Sequence, residues 1–289
     1  MASSAVKQEM FEAVKERIRD SVAILASDQG TNQFSGTFVE FSGDLFLATA
    51  SHCLSDIRDW DTLRLATAQA GPPGIAAKGF HRALVEPRSA DEIPREDVAV
   101  IRVPGDMAAR LRVTPVPWAE CSSADLRPGA LVAILGFPWR MVSVLSDSPV
   151  ILKPGPFLYV ANVSSRKPHP DRDALKTPVD ETVDVFIGYD PKDIASSSDG
   201  APLPEVPPCG LSGAGVFVVP RLEESSLWTL GNMKLGAIQS SFAGGSKLLR
   251  AKRIELLGAL LRALHRGTGG SSPNNPIETD AKSGRGSSG

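Results

Sequence analysis

The sequence predicts an all-β protein: two packed antiparallel six-stranded barrels with one helix at each end. Three observations carry that expectation. Short runs such as "GTFVEFSG", "DLFLATA", "DVAVIRV", "ALVAILGF" and "GVFVV" recur along the chain, separated by Gly, Pro, Asp and Asn. They fall into two sets of similar size around the proline-bearing stretch "PVPWAECSSADLRPG", with no strand–helix alternation of the βαβ kind. With 289 residues, 42% of them hydrophobic, the chain can bury a sizeable core.

Taken in order, Val6, Met10, Phe11, Val14 and Ile18 recur at helical spacing and predict an amphipathic helix over 5–20, within an N-terminal segment 1–20. The first barrel is expected over 21–114, the connector over 115–129 and the second barrel over 130–245. Leu248, Leu249, Ile254, Leu257, Leu260 and Leu261 then read as one side of a C-terminal helix over 246–266. Arg262 and Arg266 suit the negative end of its dipole. Residues 267–289 are too poor in apolar side chains to fold alone and read as disordered.

Bulk properties narrow the function classes. A formal net charge of −2 gives no reason to expect nucleic acid or an acidic membrane as partner. There is no apolar run of about 18 residues to span a bilayer. The first 20 residues mix charges of both signs and lack the apolar core of a secretory signal. Three cysteines, Cys53, Cys121 and Cys209, make a poor disulfide framework and fit a reducing compartment, so a cytoplasmic location is expected.

"PCGLSGAGVFVV" crowds Gly210, Gly213 and Gly215 around Ser212 ahead of an apolar strand. Glycines are expected where backbone turns sharply or approaches something closely. The stretch reads either as a tight turn into a strand or as a nucleophile loop whose bare N–H groups face a developing negative charge. Serine acyl transfer also needs a base and an acid that orients it. Of the four histidines, His81, His169 and His265 read as surface or structural. His52 lies in "FLATASHCL", where an apolar strand breaks into small residues and then a single helical turn, a geometry that would fix an imidazole at a strand end. Asp97 opens the apolar run "DVAVIRV". Its neighbour Glu96 is the competitor, and strand alternation puts the two on opposite faces.

"FLATASHCL", "DVAVIRV" and "GLSGAG", in that order, resemble the His, Asp and Ser signatures of trypsin-like (chymotrypsin-fold) serine peptidases. The resemblance spans about 21–266. "PPCGLSGAGVFV" after "FIGYDP" looks most like the bacterial, non-secreted type. It implies a serine endopeptidase in which His52 is general base, Asp97 orients it and Ser212 attacks. The N–H groups of Gly210 and Ser212 would form the oxyanion hole, and neither metal nor organic cofactor would be needed. The implied partner is a peptide or protein substrate, and activity is expected to rise through one ionisation near neutrality.

The pattern also departs from that family. Leu211 stands where secreted members carry the acidic residue that pairs with a new N-terminus, and Ala214 and Gly215 replace glycine and proline. Cys53 has no cysteine partner on the preceding strand and reads as a small buried hydrophobe. Cys209 reads as a thiol of the cleft wall. The resemblance places the substrate pocket's floor at Val206, beside Glu205, and its walls at Gln239, Ser240 and Ser241. Without an aspartate at the floor, a small or apolar side chain is expected there. Two other readings remain open: a protease-fold module that binds peptide without cleaving it, and cysteine chemistry through Cys209.

Overall fold

The computed structural model describes residues 4–26, 33–55, 57, 60–67, 75–77, 80–84, 96–139, 142–147, 150–153, 155–173, 175, 177–190, 206–220 and 230–266. Helix α1 spans Ser4–Arg19, close to the expected 5–20. Val14 and Ile18, one turn apart, are buried and carry its inward stripe.

The first barrel is a curled sheet made of β1 (Val22–Ala26), β2 (Gln33–Phe41), β3 (Asp44–Thr49), β4 (Arg64–Thr67), β5 (Ile75–Ala76), β6 (His81–Leu84) and β7 (Ala99–Val103). Its order is β5-β4-β1-β2-β3-β7-β6, and the two-residue β8 (Val116–Pro117) adds to β2 in parallel. This is a larger first sheet than the six strands expected. Helix α2 (Ser51–Ser55) follows β3, and α3 (Gly105–Leu111) follows β7.

The second barrel contains β9 (Leu131–Gly136), β12 (Phe157–Asn162), β13 (Asp184–Gly188), β14 (Gly215–Val218), β15 (Lys234–Ala243) and β16 (Leu248–Arg253). Its order is β12-β9-β14-β15-β16-β13, and a bridge between Val163 and Ile187 joins its two ends. A separate hairpin pairs β10 (Ser143–Asp147) with β11 (Val150–Lys153).

The expected helix over 246–266 is corrected in its first third. Residues 248–253 are the strand β16, paired to both β15 and β13. Helix α4 begins only at Leu257 and runs to Arg266. Leu248 and Leu249 were counted with the apolar side of the helix, whereas Arg250 and Lys252, two residues apart, share one face of a strand. Here both are buried. The expectation for 267–289 lies outside the described residues.

Alternation along the strands builds one core in each barrel and a layer shared between them. In β9, Val132 and Ile134 point into the second barrel, whereas Ala133 and Leu135 join the layer between the barrels. In β3, Leu47 points into the first barrel, while Phe46 and Ala48 join that same shared layer. The shared layer also takes Val14 and Ile18 of α1 and Leu257, Leu260, Leu261 and Leu264 of α4. Among the described residues, no helix is long and apolar enough to cross a membrane.

Candidate active site

Residues at the ends of three strands meet where the two barrels face each other. β3 ends at Thr49, and the next turn, α2, carries His52 in its first half. Asp97 lies two residues before β7, the strand paired with β3, so pairing Thr49 with Ala99 brings acid and imidazole together. The Asp97 carboxylate accepts from the His52 backbone N–H at 3.0 Å. Its two oxygens lie 3.1 and 2.9 Å from His52 Nδ1. Asp97 is buried with φ of +34°, an unusual backbone for a non-glycine residue that Asp tolerates better than most. Glu96 is only half-buried.

Burial pulls the His52 pKa down. The hydrogen bond to Asp97, that with Cys53, and the charges of both more than reverse this, pushing it up to about 11. The Cys53 contact was not foreseen: its Sγ lies 3.5 Å from Nε2, the ring nitrogen that Asp97 does not use. Cys53 is half-buried and also packs on the first-barrel core, so it is more than an inert hydrophobe. No disulfide joins the three cysteines, and Cys209 is exposed.

The serine turn is docked on the first barrel. Ser212 C=O accepts from the Ser35 N–H of β2 at 2.8 Å. Gly213 has φ of +91°, and a Cβ there would fall 1.9 Å from Ser35 O and 2.2 Å from Thr49 Oγ1. The turn therefore lies directly against the end of β3, three residues before His52. Gly210 has φ of +94°, and a Cβ there would come 2.6 Å from Phe137 O. These two positions explain the crowding of glycines around the hydroxyl.

The backbone of this turn is almost fully committed. Cys209 O accepts from Trp139 N–H at 3.0 Å, and Leu211 O accepts from Ala214 N–H at 2.8 Å. Because N–H and C=O of a trans peptide point opposite ways, those bonds aim the N–H groups of Gly210 and Ser212 in the other direction. Among the described residues, neither of these two N–H groups has an acceptor, whereas Leu211 and Gly213 N–H donate to Pro208 O and Gln239 O. Two such neighbouring donors can receive an anion. The Ser212 hydroxyl donates to Ser240 O at 3.3 Å rather than to His52.

The pocket residues expected from sequence sit differently. Val206, Gln239 and Ser240 are buried, and only Ser241 is partly exposed. Tyr189 Oη donates to Val206 O at 2.7 Å, and Tyr189 packs edge-on against Tyr159 and Phe242. Gln239 Nε2 turns back to Ser241 O at 3.0 Å, and Ser240 Oγ to Arg250 O at 3.3 Å. Gln239 and Ser240 thus bond within β15 and across to β16, while the buried Gln239 Oε1 has no partner among the described residues. Glu205 lies outside the described residues. Leu211 and Ala214 are wholly buried in the second-barrel core, which explains an apolar residue next to the serine.

Two features escaped the sequence reading. Ser35 bonds to the serine turn from the opposite barrel. A buried group of Asp184, Arg250 and Lys252 lies on β13 and β16, with Arg250 Nη2 bonded to one Asp184 oxygen and Lys252 Nζ 2.7 Å from the other. Burial lowers the Lys252 pKa, with Asp184 and Asp97 among the charges opposing that shift. The spacing of two between Arg250 and Lys252 in "LLRAKR" was the available signal.

No family model and no curated protein matches the chain. Among solved structures, the HtrA-type protease AlgW with a tripeptide aligns at a TM-score of 0.50 and 14% identity, over 88% of this chain and 63% of that one. A serine-to-alanine variant of AlgW, also with a tripeptide, aligns at 0.50 and 13% over 89% and 64%. An inactive mutant of Rv3671c from M. tuberculosis aligns at 0.46 and 15% over 89% and 93%. The chain thus spans under two thirds of the length of the HtrA-type structures it matches, and at such identities the likeness is one of fold. In its paired antiparallel barrels and terminal helices, this chain has the double-barrel fold of trypsin-like serine proteases.

Proposed function

We propose that the protein is a serine endopeptidase acting through His52, Asp97 and Ser212. The observation that carries this reading is the pair of uncommitted N–H groups at Gly210 and Ser212, in a turn where the surrounding carbonyls are held. Ser212 Oγ attacks the scissile carbonyl carbon as His52 Nε2 takes its proton. Asp97 holds the ring by Nδ1 and stabilises the imidazolium. The oxyanion is received by the two N–H groups, and collapse expels the amine, which leaves with the proton from His52. Water, deprotonated by the same ring, then releases the acyl group. Peptide is the inferred substrate class, in keeping with the tripeptides named for the AlgW structures.

In the resting arrangement Ser212 Oγ bonds to Ser240 O, and His52 Nε2 contacts Cys53. Catalytic hydrogen bonds often tighten only in the substrate complex, and cleavage requires Ser212 Oγ to turn from Ser240 O toward His52 Nε2. The same arrangement favours a second reading, a peptide-binding module that does not cleave. A fluorophosphonate probe separates the two. An adduct on Ser212 that is abolished in His52→Ala supports the peptidase. No adduct on the native protein leaves the binding module. Labelling by iodoacetamide alone points to Cys209.

A further inference from the structure

We propose that Ser35, on the opposite barrel from the nucleophile, is a positioning residue that holds the anion-binding turn 209–213 in its receptive shape. This rests on the reading of Gly210 and Ser212 as the oxyanion donors. Ser35 is fully buried and uses every polar atom it has. Its hydroxyl donates to Gly210 O at 2.7 Å and accepts from Phe137 N–H at 2.9 Å. Its backbone N–H donates to Ser212 O at 2.8 Å, and its C=O accepts from Thr49 Oγ1 at 2.8 Å.

Four successive carbonyls, those of residues 209 to 212, are thereby engaged, two by neighbouring backbone and two by Ser35. The peptide planes on either side of Gly210 share only its two soft dihedrals. Freeing the Gly210 carbonyl therefore loosens the aim of the Gly210 N–H as well. A glycine can make that rotation where another residue would be blocked. Gly210 needs its freedom to fit against Phe137 O, and Ser35 removes the mobility that this freedom brings. Room for the hydroxyl is provided from the second barrel, since a Cβ on Gly136 would fall 2.8 Å from Ser35 Oγ.

The test is Ser35→Ala in the full chain, with Ser35→Cys as the variant that keeps a weak donor. The expected kinetic result is a kcat lowered on the order of 10- to 100-fold in Ser35→Ala, with KM little changed. Affinity for a peptidyl trifluoromethyl ketone, whose bound oxyanion uses the same donors, falls in parallel, and Ser35→Cys recovers part of both. Unchanged kcat and unchanged ketone affinity would overturn the proposal. A second readout needs no turnover: the amide resonance of Gly210 doubles or broadens in Ser35→Ala. Should Ser35→Ala not fold, Ser35→Cys carries the same measurements. If the unmodified protein neither cleaves peptide nor takes the probe, the peptidase reading falls alone, and a sharp, unshifted Gly210 resonance in the variants sinks the role of Ser35.

Discussion

Cys53 Sγ sits 3.5 Å from His52 Nε2, so two consecutive residues of one short helix place a thiol on the nitrogen that receives the Ser212 proton in the proposed mechanism. The sulfur is among the groups that raise the imidazole pKa. Replacing Cys53 with Ala removes a bond to the charged ring and any thiolate beside it, so the His52 pKa falls. The rising limb of the pH–activity profile then moves toward neutrality, and activity at pH 7 gains about tenfold for each unit of that move. Peptidase rates measured across pH 6–11 on both proteins check this.

The same shift couples activity and stability in opposite directions. The base works when neutral, so activity climbs as pH rises through the elevated pKa, above the near-neutral ionisation expected from sequence. The folded-state pKa of about 11 exceeds the ordinary value of 6.5. Its contribution to stability is therefore complete below roughly pH 6.5 and is lost as pH rises toward 11. Urea midpoints should fall more steeply with alkalisation in the unmodified protein than in His52→Gln.

Charge on Asp97 and the hydroxyl of Ser212 should each be indispensable for turnover. Asp97→Asn is expected to lower kcat by ~10⁴. Ser212→Ala is expected to lower it by about 10⁶. Single-turnover assays on a peptide ester and a peptide amide measure both, and circular dichroism verifies that the fold is retained.

Gly213 tolerates no side chain. With Cβ 1.9 Å from a backbone oxygen and φ at +91°, Gly213→Ala must displace the serine turn from β2. We expect a loss of more than about 4 kcal/mol, at the severe end for single substitutions. By contrast Gly43→Ala, at a loop with no neighbour within 4 Å though φ is +81°, should lose about 1 kcal/mol. Denaturant midpoints compare the two.

The buried Asp184–Arg250–Lys252 group carries two cations for one carboxylate. Asp184→Ala leaves both cations uncompensated and should lose about 3–5 kcal/mol. Lys252→Met keeps the Arg250–Asp184 pair and removes a poorly satisfied ammonium. Its stability should stay within about 1 kcal/mol of the original or rise. Urea titrations of the two variants give the contrast.

What could be read in the sequence was local. The glycines around Ser212, the strand break at His52 and the apolar run after Asp97 are contiguous signals, and the structure brings the last two into contact. Ser35 could not be found that way, because its meaning lies in bonds to residues more than 100 positions away. β16 was misread because Leu248 and Leu249 carry the apolar pattern of α4 backwards, while its buried cations rest on distant partners, Asp184 for both and Thr177 and Pro178 for Arg250. The pocket floor was placed by a fixed offset from the serine and its walls by the strand after the serine loop, and neither rule registers that Val206, Gln239 and Ser240 are buried.

Each terminal helix is lodged on the barrel it does not adjoin in sequence. α1 leads into β1 yet packs on β9, and α4 leaves β16 yet packs on β3, β6 and β7, with His265 Nδ1 2.9 Å from Asp44 Oδ2. This reciprocal bracing couples each half to the other. Heat should melt the molecule in one cooperative step, and trimming either end strips apolar cover from the far half, so neither half is an autonomous folding unit.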